Sequence, residues 1–594
     1  EQYDGEVSLY TYDKDGMLVK AKNSENLLEF TRDRKTGLVT EERQGEHTVS
    51  RTYDSEGNCT RITSSLGADI RHTYDREGNL QTMQAGEGWQ ASWVRDNTGL
   101  EVQRTFSGGV TVCTERDGFG REVRKSVRSG GIERGAYRYE WGIANRLLSK
   151  ENELTGTVMR YDYDRFDFLI RQETTQGSET DVIYRVPDFV GNLFGTPDRK
   201  DRKYGACGKL LEDPDCFYHY DDEGNLIFRE FKQLQETGVR YDRKRMEKER
   251  GIRCLATGTG WLYEWASNGM LKKVVRPDGR PVEFRYDALG RRTAKQYFGK
   301  VTRWVWDGNV PIHEWSYKAI GLQSDEKGNT LPKEPVEDIT TWVFEAGTFV
   351  PTAKIQGDKQ YSIVSDYLGT PIQMYDGQGN KTWGCTLDIY GKVLAVDKGT
   401  EFDCPFRFQG QYEDIETGLY YNRFRYYDAN IGSYISQDPI GLLGGNPTHY
   451  SYVSDNNSLT DVLGLSCTKE LKKNMRKAQK ELEKKGMTNR AWHKEKGSAA
   501  HHIVAGDDVR AKQARDILSK YNIDINSAEN GIYLKHIDPN SKQSGAYHRV
   551  IHTDQYYITV NERISKASKL GGRAEVLNEL QRLQEDLLFN KKIW

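Results

Sequence analysis

Six of the chain's eleven histidines fall in residues 466–594: His493, His501, His502, His536, His548 and His552. Ser498-Ala499-Ala500-His501-His502-Ile503-Val504 reads as a short strand among small residues, and Asn530-Gly531-Ile532-Tyr533-Leu534 as a turn entering a second strand. From Tyr547 to about Ala567 the pattern is helical, and His548 and His552, four apart, share one face. Two imidazoles on one helical turn and a third from a facing hairpin can converge on one cation. A neighbouring histidine kept off the metal can then activate water. His493 and His536 stand outside this pattern and read as structural or exposed.

A second constellation is acidic. Asp438-Pro439-Ile440-Gly441-Leu442 and Asp461-Val462-Leu463-Gly464-Leu465 are related segments with aspartates 23 residues apart. Two carboxylates brought together share a proton, so that one serves as base on water and the other as acid. The same residues are also what Gly-containing turns use as caps, and on residue types alone both readings stand.

Two unlike regions must position these groups. Residues 466–594 hold 25 Lys+Arg against 16 Asp+Glu, a formal +9; the whole-chain 86 and 88 leave 61 against 72 upstream, a formal −11. With 36% hydrophobic residues, 35 tyrosines and 58 glycines, the chain suits a thin β-structure rich in turns better than one large core. Upstream, Asp13, Asp33, Asp54, Asp75, Asp96 and Asp117 step by 20 residues and then by 21 four times, each following Tyr or Arg. Gly lies three residues after the Asp in five of these six units, and Gly37 four after Asp33. Asp opening and Gly closing a turn, with alternating stretches such as Ile70-Arg71-His72-Thr73-Tyr74 between, predict stacked β-hairpins. Later copies include Tyr220-Asp221 with Gly224 and Tyr286-Asp287 with Gly290. Eight scattered cysteines without a CxxC pair favour neither a zinc-thiolate site nor a disulfide framework. No signal peptide and no bilayer-length apolar run is visible. The chain opens inside a repeat, so an upstream region is expected, and with it the means of export.

These units resemble the YD repeats of Rhs and related polymorphic toxins. Phe406-Arg407-Phe408-Gln409-Gly410-Gln411-Tyr412, then Glu416-Thr417-Gly418-Leu419-Tyr420-Tyr421-Asn422-Arg423-Phe424-Arg425-Tyr426-Tyr427-Asp428, resembles the Rhs-associated core. The resemblance implies a mainly β chain, whose hairpins spiral into a hollow cocoon around a small α+β toxin. Its divisions are a shell over 1–400, a core with an aspartyl autoprotease over 401–465, and the toxin over 466–594. It implies that Asp438 and Asp461, with Arg425 beside them, cut the chain between Leu465 and Ser466. The family usually has Pro where this chain has Val462, and again where it has Asn456, so the backbone at the cut is less constrained.

Ala500-His501-His502, Asn530-Gly531 and His548 to His552 resemble the AHH branch of the HNH/endonuclease VII superfamily, whose fold is the ββα-metal unit. That resemblance makes His501, His548 and His552 ligands of one divalent ion, Mg, Mn or Zn. It makes His502 the general base and Asn530 the residue that constrains the hairpin and orients the base. Together the resemblances imply a secreted antibacterial effector whose self-cleaved cargo is held non-covalently in the shell and cuts DNA in the target cytoplasm. The expected partners are a cognate immunity protein and a secretion machine, such as a type VI spike, reached through the upstream region. Alternatives are an RNase toxin, an adhesion or structural protein with an inactive C-terminal domain, and the cocoon subunit of an insecticidal toxin complex.

Overall fold

The computed structural model describes residues 2–589 apart from 4–5, 15, 77, 98, 144–145, 167, 236–237, 320–333, 440–447, 466–474, 477, 481, 483–487, 493, 495–497, 506–508, 522, 524, 526 and 536–552. The repeats fold as expected at each turn. Asp54 shows how: its carbonyl accepts from Gly57 N (3.1 Å), and its carboxylate accepts from Asn58 N (2.8 Å). Gly57 takes φ 85°, a left-handed conformation that costs a residue with a β-carbon. The strand register shifts beside the turn, between Thr52 and Tyr53, and the same shift recurs at later turns.

In several repeats the residue before the Asp has a job that the spacing alone does not reveal. Tyr53 Oη donates to the Val39 carbonyl (2.8 Å), Tyr74 Oη to Cys59 (2.8 Å) and Tyr286 Oη to Leu271 (2.7 Å). Arg95 donates to Leu80 O and Arg116 to Glu101 O in the same way. Each of these reaches back 14 or 15 residues, so a long side chain ending in a donor ties its hairpin to the one before it. That requirement explains why Arg replaces Tyr in some repeats. Burial pushes the Tyr53 phenol up to about 12, so it stays a donor at any ordinary pH.

Seventeen consecutive antiparallel strands, Leu9–Tyr12 to Glu179–Tyr184, make the first sheet, and sixteen, Lys203–Tyr204 to Val393–Lys398, make the second. A two-stranded ribbon, Val186–Pro187 with Leu193–Phe194, lies between them in sequence. The two sheets run along each other, and their contacts advance in step. Gln44 bonds to Trp306, Arg51 to Asp307, Ser64 to His313, Trp89 to Ser362 and Ser129 to Gly379. Val49, Trp93, Val301 and Val343 share one buried cluster across the sheets.

The short strands Tyr412–Asp414, Leu419–Asn422, Arg425–Asp428 and Ser433–Tyr434 form a separate sheet packed on the second one. Arg292 anchors it: its guanidinium pairs with Asp414 and lies 4.5 Å from the ring centres of Trp304 and Tyr421. Lys295 reaches Asp414 (3.0 Å) and Glu416 (2.7 Å).

The C-terminal region has its own core, from Ile503, Leu518, Ile532, Leu534, Val560, Val576 and Leu583. Its hairpin pairs Ser498–His502 with Gly531–Lys535, and its helices are Lys512–Lys520 and Asp554–Leu588, the latter broken at Gly571–Gly572. The helical pattern read from Tyr547 begins, among the described residues, at Asp554. Thr553 is extended and its hydroxyl accepts from Tyr556 N, which marks the first turn. Ala574–Leu588 packs Val576, Leu580, Leu583 and Leu587 into the core. Residues from the helix Lys512–Lys520 come close to the sheets. A β-carbon added at Gly57 would lie 3.6 Å from the Lys520 carbonyl oxygen. Desolvation works against the Lys512 ammonium, and the carboxylates of Asp516 and Glu345 outweigh it and raise its pKa. The seven described cysteines are free, and no described helix is long and apolar enough to cross a membrane.

Candidate active sites

At the end of the core, three of the sequence-picked residues meet. Arg425, 1% exposed, places Nη2 3.1 Å from Asp438 Oδ2 and 3.3 Å from Asp461 Oδ2. Its Nε donates to the Gly464 carbonyl (2.5 Å), and its guanidinium lies 3.6 Å from the Tyr434 ring centre. Both Asp461 oxygens accept: Oδ2 from Tyr434 Oη (2.8 Å) and Oδ1 from the Leu465 amide (2.9 Å). Asn422 Nδ2 donates to Tyr434 Oη and to the Asp461 carbonyl, both at 2.7 Å. Tyr452 Oη accepts from Asp461 N (3.2 Å).

Burial raises the Asp461 carboxyl to about 6. Arg425, the Tyr434 hydroxyl and the Leu465 amide pull it down, and the nearby Asp438 charge adds to the rise. Gly464 has φ 66°, and a β-carbon there would come within 2.5 Å of the Asn422 carbonyl oxygen, so the segment leading to Leu465 is held close against the core strand. Ser466 lies outside the described residues. Tyr434, Asn422 and Tyr452 escaped the sequence reading. The one available signal was Tyr434 standing four residues before Asp438 in a short polar stretch.

In the C-terminal hairpin His501 pairs with Ile532 and His502 with Gly531. Neighbouring side chains on a strand diverge, so only one of the pair can face the helix. His501 does: it is 2% exposed, its Nε2 lies 2.8 Å from Tyr556 Oη, and their rings meet edge to face at 5.7 Å. His502 is partly exposed. Tyr556 Oη also donates to the Ile503 carbonyl (2.9 Å).

Asn530, fully buried, closes the hairpin. Its Nδ2 donates to the carbonyls of Val504 (2.9 Å) and Ile525 (2.8 Å), and its Oδ1 accepts from Val504 N (2.8 Å). The backbone carbonyl of Asn530 accepts from Ile503 N (2.9 Å). The carboxamide therefore holds the segment that follows His502 and acts on that residue through the backbone. Gln584 from the last helix reaches the same loop: its Nε2 donates to the carbonyls of Glu529 (2.8 Å) and Gly531 (2.9 Å).

His548 and His552, the two other expected ligands, and His493 and His536 lie outside the described residues. Among the described residues no group of three His, Cys, Asp or Glu side chains is gathered to hold an ion. The donor chemistry fits on the side that is described. His501 is a buried imidazole held by a fixed partner, a donor type suited to a divalent transition metal.

Three family models match parts of the chain. Residues 482–587 match AHH, a nuclease family of the HNH/ENDO VII superfamily with conserved AHH. Residues 336–445 match the teneurin YD-shell, and 53–88 and 267–302 match the RHS repeat. The chain has the architecture of an Rhs/YD-repeat polymorphic toxin with an AHH-type C-terminal domain. Among curated proteins it is 28% identical over 482 residues to double-stranded DNA deaminase toxin A of Burkholderia cenocepacia, covering 75% of this chain and 32% of that protein. It is 29% identical over 386 residues to the probable deoxyribonuclease RhsB of Dickeya dadantii, covering 62% and 24%. The chain thus spans a third or less of the length of both relatives. Of solved structures, a Photorhabdus luminescens Tc holotoxin pore shares the fold at a TM-score of 0.53 and 16% identity, over 78% of this chain and 25% of that one.

Proposed function

We propose that this chain belongs to a secreted antibacterial effector that cuts itself between Leu465 and Ser466 and carries residues 466–594 as a metal-dependent DNase. The observation that carries the nuclease reading is the coincidence of the AHH match with a hairpin that presents His501 toward a helix and leaves His502 partly exposed. In this reading His502 takes a proton from the attacking water, and Asn530 holds the backbone beside it. His501, His548 and His552 would hold the divalent ion. The ion, when bound, supplies a Lewis acid for the charge that develops on the phosphate and the leaving oxygen. DNA is the favoured substrate, with RNA as the alternative, on the resemblance of residues 482–587 to HNH/ENDO VII nucleases.

Self-cleavage is supported by one guanidinium bridging Asp438 and Asp461, and by Asp461 accepting from the amide of Leu465, the residue that donates the scissile carbonyl. Asp461 keeps its proton to higher pH than an ordinary aspartate and is the acid of the pair; Asp438 is the base on water. Two sheets laid along each other, with the helix Lys512–Lys520 reaching Gly57 and Glu345, support a shell that holds its basic cargo after the cut. An acidic immunity protein suits the +9 surface of residues 466–594. Delivery would use a machine of the type VI kind, docked through an upstream region, with action in the target cytoplasm.

The test is purified protein with plasmid DNA or RNA in Mg2+, Mn2+ or Zn2+, beside expression of residues 466–594 in bacteria. DNA cutting and loss of cellular DNA are expected. RNA cutting alone would reassign the substrate, and no cutting of either would leave a structural or adhesive protein.

A further inference from the structure

We propose that a cavity walled in part by Val462, the neighbour of Asp461, is a binding site for a peptide end: an aromatic residue with a free carboxylate and an N–H beside it. The cavity takes in about 530 Å3 of space, part of it open to solvent. Its walls are largely rings, among them Trp304, Phe344, Phe349, Phe406 and Phe408. Such walls ask only for an apolar guest, and three polar side chains on them narrow the choice.

Gln411 is 1% exposed, and neither its Oε1 nor its Nε2 has a hydrogen-bond partner. Its backbone is engaged: the amide donates to Phe408 O (2.9 Å) and the carbonyl accepts from Arg407 N (3.2 Å), so the carboxamide alone is idle. Trp304 Nε1 is likewise buried without an acceptor. Groups of this kind are seldom left unpaired, because desolvating them without a partner is costly. Arg423 adds a charge. Its Nε donates to Asn309 Oδ1 (3.2 Å) and its Nη2 to the Leu289 carbonyl (2.9 Å), both neutral. Arg292 and Arg407, on the same wall, are matched by Asp414 and Glu413; no carboxylate among the described residues is paired with Arg423. Burial accordingly holds the Arg423 guanidinium below its ordinary pKa.

Group by group, these needs describe one guest. Gln411 Nε2, Trp304 Nε1 and the Arg423 cation suit an anion rich in acceptors, which a carboxylate is. Gln411 Oε1 suits an N–H donor, which the last residue of a peptide carries beside its carboxylate. The rings suit an aromatic side chain. Turning Gln411 toward the guest breaks no hydrogen bond, since its carboxamide makes none.

The experiment titrates acetyl-Gly-Gly-Phe into the full chain by calorimetry and saturation-transfer NMR, beside the C-terminal amide of the same peptide and phenylacetate. Saturable binding of the peptide is expected, weaker by about tenfold or more for the amide, for phenylacetate and for the peptide on Gln411→Leu. Gln411→Leu should melt no lower than wild type, because it gives up no hydrogen bond, so its loss of binding is not a loss of folding. Absence of peptide binding, with ordered water only on Gln411 in a crystal structure, overturns the proposal. The amide binding as tightly as the acid removes the anion, and phenylacetate binding as tightly as the peptide removes the peptide end; neither comparison needs a variant to fold. Unchanged peptide binding by Gln411→Leu places the ligand elsewhere and overturns the site.

Discussion

If the chain cuts itself between Leu465 and Ser466, Asp461 places a pH limit on that cut. Its carboxyl rises from an ordinary 3.8 to about 6, chiefly because it is buried, with Arg425, Tyr434 and the Leu465 amide opposing the rise. Two units correspond to about 3 kcal/mol in favour of the protonated form. The sign follows from the raised folded value: the stabilisation is complete below about 3.8 and is lost as pH climbs through about 6. If Asp461 is the acid of the pair, the competent fraction falls about tenfold per unit above 6, and cleavage at pH 8 should run about 100-fold slower than at pH 5.5. The assay starts from chain recovered from inclusion bodies, which has never folded, and refolds it across pH 5–8. Appearance of a fragment beginning at Ser466 is followed on denaturing gels. Asp461→Asn keeps the shape but cannot exchange that proton, and should leave one 594-residue chain at every pH. A flat rate from pH 5 to 8 would refute the acid assignment. A cleaved Asp461→Asn chain, or a wild type that stays whole, would refute the aspartyl pair itself.

Other outcomes follow from the same geometry. His502→Ala should lower plasmid nicking by at least about 100-fold with metal affinity intact, read by gel and chelator competition. His548→Ala and His552→Ala should weaken metal binding, while chelator should silence the wild type and a divalent ion restore it. Asn530→Ala removes three buried hydrogen bonds at about 1 kcal/mol each, so the C-terminal domain should lose about 3 kcal/mol and become protease-sensitive before the shell does. After cleavage, shell and cargo should co-elute in size exclusion and separate only in denaturant; release at moderate salt would count against enclosure.

The sequence by itself determined whatever depends on near neighbours. The Asp-to-Gly interval specifies a turn because the Asp carboxylate and the left-handed Gly act within five residues, and repetition of that interval specifies the hairpin array. The hairpin with His501-His502 on one strand and Gly531 opening the other was legible for the same reason, since alternation and turn residues are local. What joins distant segments was decided only by tertiary structure. Arg425 meets Asp461 across 36 residues because both are carried into one buried corner by a sheet whose packing surface is the second sheet, and nothing in either segment names the other. Tyr434 and Asn422 enter that corner for the same reason. Val462 and Asn456 replace the family's prolines, yet the turn into Leu465 is still held, by the Asp461 carboxylate and by Gly464 against Asn422. Among the described residues the helix opens at Asp554, where the Thr553 hydroxyl accepts from the Tyr556 amide, a cap that periodicity alone does not locate. Tyr556 was visible as a residue but not as a partner of His501, 55 positions away, because that contact exists only once the helix is packed on the hairpin.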